Sequence, residues 1–207
     1  MKSTLLICLF AVFLILGPAT AASAAPDETG VDQPRFRAGF YWEGLQIDDK
    51  NLTRFYGHSQ KNVPGFEASA HTLYNIDVWV SYRIYGEETK TTYEGLADKF
   101  RLNMASFGVL YRLFSTARFE PFIGAGLESY SYSETIEGTT DIKGASGNAV
   151  GFHIQFGTYV NITKFLAGKV FVRLNDVIKT LDYPLPDDST KLNLGGKEFG
   201  IGLVARF

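Results

Sequence analysis

Three observations predict the fold class. Short stretches alternate apolar and polar residues along most of the chain, no apolar run beyond residue 16 approaches membrane-helix length, and the last strand stops on an aromatic residue. Alternation at period two is the mark of strands with one apolar face. Any membrane crossing must then be made by strands. The expected architecture is all-β: an eight-stranded antiparallel up-and-down transmembrane β-barrel after a cleaved signal peptide. A mean hydropathy near zero is compatible with this, because barrel strands carry their lipid-facing residues in alternation.

The leader comes first. Lys2 precedes an unbroken apolar run over residues 5–16 (LLICLFAVFLIL), Gly17-Pro18 end it, and small residues follow. Two A-x-A sites are available, Ala19-Thr20-Ala21 and Ala22-Ser23-Ala24. This is the signal-peptide pattern, and the run is shorter than the roughly 20 residues a membrane helix needs. Cleavage after Ala24 divides the chain into a signal peptide over 1–24, a polar stub over 25–34 and a barrel domain over 35–207. Cys8 is the only cysteine, and Ile7 stands where a lipoprotein leader carries a small residue. The mature chain therefore has no disulfide, no thiol nucleophile and no cysteine metal ligand. Loss of Lys2 takes the formal net charge from −2 to −3, and the absence of a basic block argues against nucleic acid as a partner.

Eight strands follow. The first, about 35–45, sets Phe36, Ala38, Phe40 and Trp42 against Arg37, Gly39, Tyr41 and Glu43. The second, about 65–73, sets Phe66, Ala68 and Ala70 against Glu67, Ser69 and His71. The third, about 76–85, sets Ile76, Val78, Val80, Tyr82 and Ile84 against Asp77, Trp79, Ser81 and Arg83. The fourth, about 99–113, sets Ala105, Phe107, Val109, Tyr111 and Leu113 against Ser106, Gly108, Leu110 and Arg112. The fifth, about 119–132, sets Ile123, Ala125 and Leu127 against Gly124, Gly126 and Glu128. The sixth, about 149–161, sets Val150, Phe152, Ile154, Phe156 and Val160 against Gly151, His153, Gln155, Gly157 and Tyr159. The seventh, about 166–178, sets Leu166, Val170, Val172 and Leu174 against Lys169, Phe171, Arg173 and Asn175. The last, 199–207, sets Phe199, Ile201, Leu203, Ala205 and Phe207 against Gly200, Gly202, Val204 and Arg206.

The connections alternate in length. Gaps at 74–75, 114–118 and 162–165 are short; those at about 46–64, 86–98, 133–148 and 179–192 are long and polar. Long loops on one end and tight turns on the other is the pattern of outer-membrane barrels. An even strand number then puts both termini at the short-turn end.

Two motifs carry a resemblance. The ending resembles the terminal β-signal of bacterial outer-membrane barrels, polar-x-Gly-x-x-apolar-x-aromatic, with Gly202, Ala205 and Phe207 in register and Gly200 where a polar residue is usual. The stretch Arg118-Phe119-Glu120-Pro121-Phe122-Ile123-Gly124-Ala125-Gly126-Leu127, after Tyr111-Arg112-Leu113-Phe114, is similar to the PY-x-G-x-G and YRF strand ends of small barrel domains. Together they resemble the OmpA/OmpX-type and OmpW-like eight-stranded barrel superfamily, over most of the mature chain. The resemblance implies a Gram-negative outer-membrane location, export through a cleaved leader, a stub in the periplasm and insertion by the barrel-assembly machinery. It is nearly silent on activity, since one fold hosts many roles.

An eight-stranded barrel is only wide enough to be filled by its own side chains. Its inward faces carry Arg37, Arg83, Arg112, Lys169, Arg173 and Arg206 against Glu43, Glu67, Asp77, Glu128 and Glu198, with Glu120 near the rim. An unpaired buried charge costs several kcal/mol, so such balance predicts a paired polar plug; the competing reading is a solute path lined by the same charges. The inward glycines are expected to leave room for long Arg, Lys, Tyr and Trp side chains. Aromatic girdles are expected at Trp42, Tyr82, Tyr130 and Tyr132 toward the loops, and at Phe114, Phe119, Phe122, Phe165 and Phe207 toward the turns.

Catalytic signals are weak. His58, His71 and His153 lack metal-ligand spacing to one another, and none has a serine two residues on, the pair that a lipid A deacylase barrel carries on one strand. The sequence therefore predicts a non-enzymatic, monomeric barrel without cofactor. It would be structural or surface-exposed, in contact with outer-membrane lipids and with loops available to bind a partner. Passage of small or lipophilic solutes is the second reading, and a lipid A-modifying enzyme the third.

Overall fold

The computed structural model describes residues 34–47, 60–90, 97–116, 118–137, 146–180 and 191–207. The expected signal peptide and all of the stub but its last residue lie outside the described residues. Strands run β1 (Phe36–Ile47), β2 (Gln60–Leu73), β3 (Ile76–Lys90), β4 (Ala97–Arg112), β5 (Phe119–Glu137), β6 (Ser146–Asn161), β7 (Leu166–Thr180), β8 (Lys191–Asn193) and β9 (Gly196–Arg206). Each of β1 to β7 pairs antiparallel with its chain neighbour, and β9 pairs antiparallel with both β7 and β1. The ring is closed, so the eight long strands leave no free edge, which satisfies the backbone where water is absent.

The three-residue β8 lies on β7 in the register that β9 continues, Ile178 opposite Asn193 and Asn175 opposite Gly196. Leu194 bridges the two through its N–H to the Val177 carbonyl at 2.8 Å. Part of the stretch expected as a loop at 179–192 is therefore ladder. Strands β2, β3 and β5 also run further toward the long connections than expected, starting at Gln60 and ending at Lys90 and Glu137. Cross-strand bonding continues there after apolar alternation has faded. The stretches 48–59, 91–96, 138–145 and 181–190 lie outside the described residues.

The tight ends are firmly bonded. Tyr74 adopts a positive φ of 54° in the two-residue turn between β2 and β3, the backbone that such hairpin turns require. At the closing seam the Phe207 carbonyl accepts from the N–H groups of Arg35 and Phe36, and the Phe207 N–H donates to Phe36.

Facing follows the sequence pattern. Phe66, Phe107, Phe152, Val172, Phe199, Ile201 and Leu203 stand exposed around the outer wall, whereas their strand neighbours are buried inside. Three girdle assignments are corrected. Tyr130, Tyr132 and Phe122 are buried in the lumen, not on the outer wall. They share parity with Glu128 and Gly124, and a regular strand keeps every second residue on one face.

Candidate functional site: the barrel interior

The register stacks the lumen in four layers. Nearest the short turns lies a charged layer. The Arg37 guanidinium donates to Asp77 at 2.5 Å and to Glu120 at 2.5 Å, and Arg206 donates to Glu120 at 2.8 Å. Arg112 stands 3.2 Å from Asp77 and 3.9 Å from Glu120. His71 touches both sides of this layer, its Nδ1 lying 3.0 Å from Asp77 and 2.6 Å from Arg112. Asn161 donates to Glu120 at 2.9 Å.

An aromatic layer follows. Tyr41, Trp79, Phe122, Tyr159 and Phe171 pack with Leu110, Ala167 and Val204. Lys169 is buried among these rings, its Nζ 4.7 Å from the Phe171 ring centre and 5.3 Å from that of Phe122. Its one carboxylate partner among the described residues is Glu67. Aromatic faces attract a cation electrostatically, which offsets part of the cost of burying it.

The third layer is charged again. Arg83 donates through Nη1 to Glu43 at 2.7 Å and Glu198 at 2.6 Å, and through Nη2 to Glu128 at 2.8 Å. Arg173 donates to Glu198 at 3.0 Å and lies 3.5 Å from Glu43. Asn175 donates to Glu198 and to the Tyr130 hydroxyl. His153 sits 3.3 Å from Glu128 and edge-on to Trp79. The side chains of Arg83, Arg173, Glu43, Glu128 and Glu198 are all 0% exposed. Above them, toward the long connections, Leu45, Val63, Phe100, Leu102, Met104, Tyr130, Tyr132, Ala149, Val177 and Leu194 form an apolar cap.

The ten network residues named from sequence all point into the lumen, but they do not form one cluster. Arg37, Asp77, Arg112 and Arg206 belong to the turn-side layer; Glu43, Arg83, Glu128, Arg173 and Glu198 to the deeper one; Lys169 stands between them. Glu120, at the turn-side end of β5, is a hub of the turn-side layer and is 1% exposed. His71, His153, Asn161 and Asn175 join the networks as further partners. Inward parity on their strands was the available signal for all four.

At three inward glycines the room goes to rings. A Cβ at Gly65 would meet the Tyr41 ring at 2.5 Å, one at Gly157 the Phe122 ring at 2.5 Å, and one at Gly200 would run into the Phe171 ring. The nearest side chains at these three positions belong to Tyr41, Phe122 and Phe171 of the aromatic layer.

Of the three residues of the terminal motif, Phe207 is 71% exposed on the outer wall. Ala205 is half-buried between Ala38 and Leu166, and Gly202 faces inward against Tyr41. Among the described residues no group of three His, Cys, Asp or Glu side chains could hold a metal ion.

A closed ring of eight long antiparallel strands, apolar outside and charge-paired inside, defines a membrane-embedded barrel class. The chain belongs to the outer membrane protein beta-barrel domain family, whose model matches residues 9–207. Among solved structures it is similar to Neisserial surface protein A (NspA), at 16% identity and a TM-score of 0.62 over 83% of this chain and 97% of that one. It is also similar to OprG of Pseudomonas aeruginosa, at 14% identity and 0.59 over 87% and 99%. The E. coli outer membrane protein W matches at 14% identity and 0.54 over 85% and 99%. At these identities the likeness is one of fold. No curated protein sequence matches the chain.

Proposed function

We propose that the protein is a non-enzymatic, monomeric outer-membrane barrel with a plugged lumen, a rigid scaffold that holds its long connections at the cell surface for binding. The observation that carries this reading is the deeper layer of five ion-paired side chains with no accessible surface, spanning the lumen from β1, β3, β5, β7 and β9. Moving a hydrated ion through it means breaking several buried pairs at once, each costing a few kcal/mol. Planar-bilayer recording of the refolded protein tests it. Flat baseline current is expected; reproducible single-channel steps would replace the plug by a path.

The apolar cap favours a second reading, partition of lipophilic solutes into the mouth of the barrel. A lipophilic fluorophore that the barrel takes up and the variant Met104→Glu does not would support it. Lipid A chemistry is tested beside these by the mass of lipid A extracted with and without the protein; no shift is expected.

Export belongs to the same proposal. Cleavage after Ala24 gives a mature N-terminus at Ala25, found in the outer-membrane fraction. Gly202, Ala205 and Phe207 are the residues proposed for recognition by the assembly machinery.

A further inference from the structure

The short turns carry a cationic feature that the plug does not use. Arg118 precedes β5 and Lys164 lies in the turn between β6 and β7, both exposed. They occupy neighbouring corners of the barrel, because the Asn161 N–H at the end of β6 donates to the Arg118 carbonyl at 2.8 Å. Both corners are tied by side-chain hydrogen bonds. Thr116 Oγ1 accepts from the Phe119 N–H at 2.9 Å, and Thr163 Oγ1 accepts from Phe165 at 3.2 Å and Leu166 at 3.1 Å. Lys164 Nζ lies 4.8 Å over the Phe165 ring.

Among the described residues no carboxylate pairs with either cation. Residues 113–119 and 162–168 contain no acid, and Glu120, next along the chain, points inward and is engaged by Arg37, Arg206 and Asn161. The long connections at the other end carry acids throughout, Asp48, Asp49, Glu94, Asp141 and Asp182 among them. Directly beside the two cations the outer wall is apolar, with Phe119, Ile162 and Phe165 exposed. Two cations above a strip of exposed hydrocarbon and aromatic surface match one chemistry: a phosphate headgroup followed by acyl chains.

We propose that Arg118 and Lys164 form a docking site for the headgroup of an anionic phospholipid, its chains lying along Phe119, Ile162 and Phe165. The site rests on the reading of the chain as a membrane-embedded barrel. A juxtamembrane cation contributes about a fivefold preference for an anionic surface, so the pair exceeds that factor at low salt.

The test is electron spin resonance of spin-labelled lipids around the protein refolded in phosphatidylcholine bilayers. Labelled phosphatidylglycerol should associate at least about fivefold more strongly than labelled phosphatidylcholine, and molar salt should collapse the ratio. In Arg118→Gln/Lys164→Gln the ratio should fall toward one, while Arg101→Gln, at the opposite end of the wall, should leave it intact. If the double variant does not refold, the exposed single change Lys164→Gln serves, with a fall of at least twofold expected. A wild-type ratio near one, an unchanged ratio in the variants, or loss in Arg101→Gln instead would overturn the site. Failure of the wild type to enter bilayers at all would instead sink the membrane-barrel reading on which the site rests.

Discussion

The two charged layers of the lumen use the same residue types and carry opposite surpluses. The turn-side layer sets three guanidiniums, Arg37, Arg112 and Arg206, against two carboxylates, Asp77 and Glu120. The deeper layer sets two, Arg83 and Arg173, against three, Glu43, Glu128 and Glu198. The aromatic layer holds the neutral pair Lys169–Glu67 between them. Among the described residues, charge in the lumen is thus balanced as a whole and unbalanced layer by layer. A carboxylate is worth more where cations are in surplus than where they are scarce, so equivalent substitutions in the two layers should have unequal effects.

The largest effect is expected from Glu120→Gln. It leaves three guanidiniums around Asp77 alone and should cost about 3–5 kcal/mol, the range for breaking a buried ion network. Glu43→Gln in the deeper layer brings carboxylates and guanidiniums to equal number and should cost much less. Urea unfolding in lipid bilayers, followed by tryptophan fluorescence, measures both; equal losses would break the comparison.

Next in size is a contrast across the wall. Val172 faces outward on β7 and Asn175 inward, beside Glu198. Val172→Arg should cost about 2–4 kcal/mol by placing a charge in the hydrocarbon. Asn175→Arg adds a cation where carboxylates are in surplus and should cost less. The reverse order in the same unfolding assay would mean that β7 is inside out.

The aromatic layer gives a smaller effect. Gly200→Ala drives a methyl group into the Phe171 ring and should cost about 1–3 kcal/mol by overpacking. Gly86→Ala meets nothing within 4 Å and should be nearly silent. Similar midpoints for the two variants would mean that the ring layer yields freely.

The smallest effect on stability is expected at the seam. Phe207→Ala keeps the backbone bonds to Phe36 and removes a ring that stands clear of the wall. The loss on refolding into detergent should be no more than about 1.5 kcal/mol. Outer-membrane levels in cells should fall further, as expected if the assembly machinery reads this residue. Equal behaviour in the two assays would reduce it to ordinary packing.

Strand period and facing were legible in the sequence because the lipid face demands apolar residues at alternate positions. The pattern Phe152, Ile154, Phe156 against His153, Gln155, Gly157 leaves little choice. Strand ends were not legible. Toward Lys90 and Glu137 the wall no longer needs apolar residues, yet the ladder continues on backbone bonds alone. Aromatic character at a strand end points Tyr130 and Tyr132 to the outer wall, but their parity with Glu128 puts them in the lumen. The inward charges could be listed from parity, but their division into two layers of opposite surplus could not. Height in the lumen depends on register between strands, and Glu120 meets Arg37 only because β5 and β1 are aligned by the strands that connect them.

The glycine notches give the barrel wall a gauge of its own closure. Tyr41 on β1 lies over Gly65 of β2 on one side and beside Gly202 of β9 on the other. Phe171 on β7 fills the space over Gly200. When the last strand meets the first, sliding it by two residues would preserve the ladder pattern along most of its length and every inside–outside assignment, so these discriminate weakly against the error. Such a slide brings Val204 against Tyr41 in one direction. In the other it brings Gly200 there and sends the Tyr41 ring into the space Phe171 already occupies. One alignment alone lets both rings seat, and a feature that looks like empty space along the wall becomes the tally mark by which the cylinder is sealed at its proper circumference.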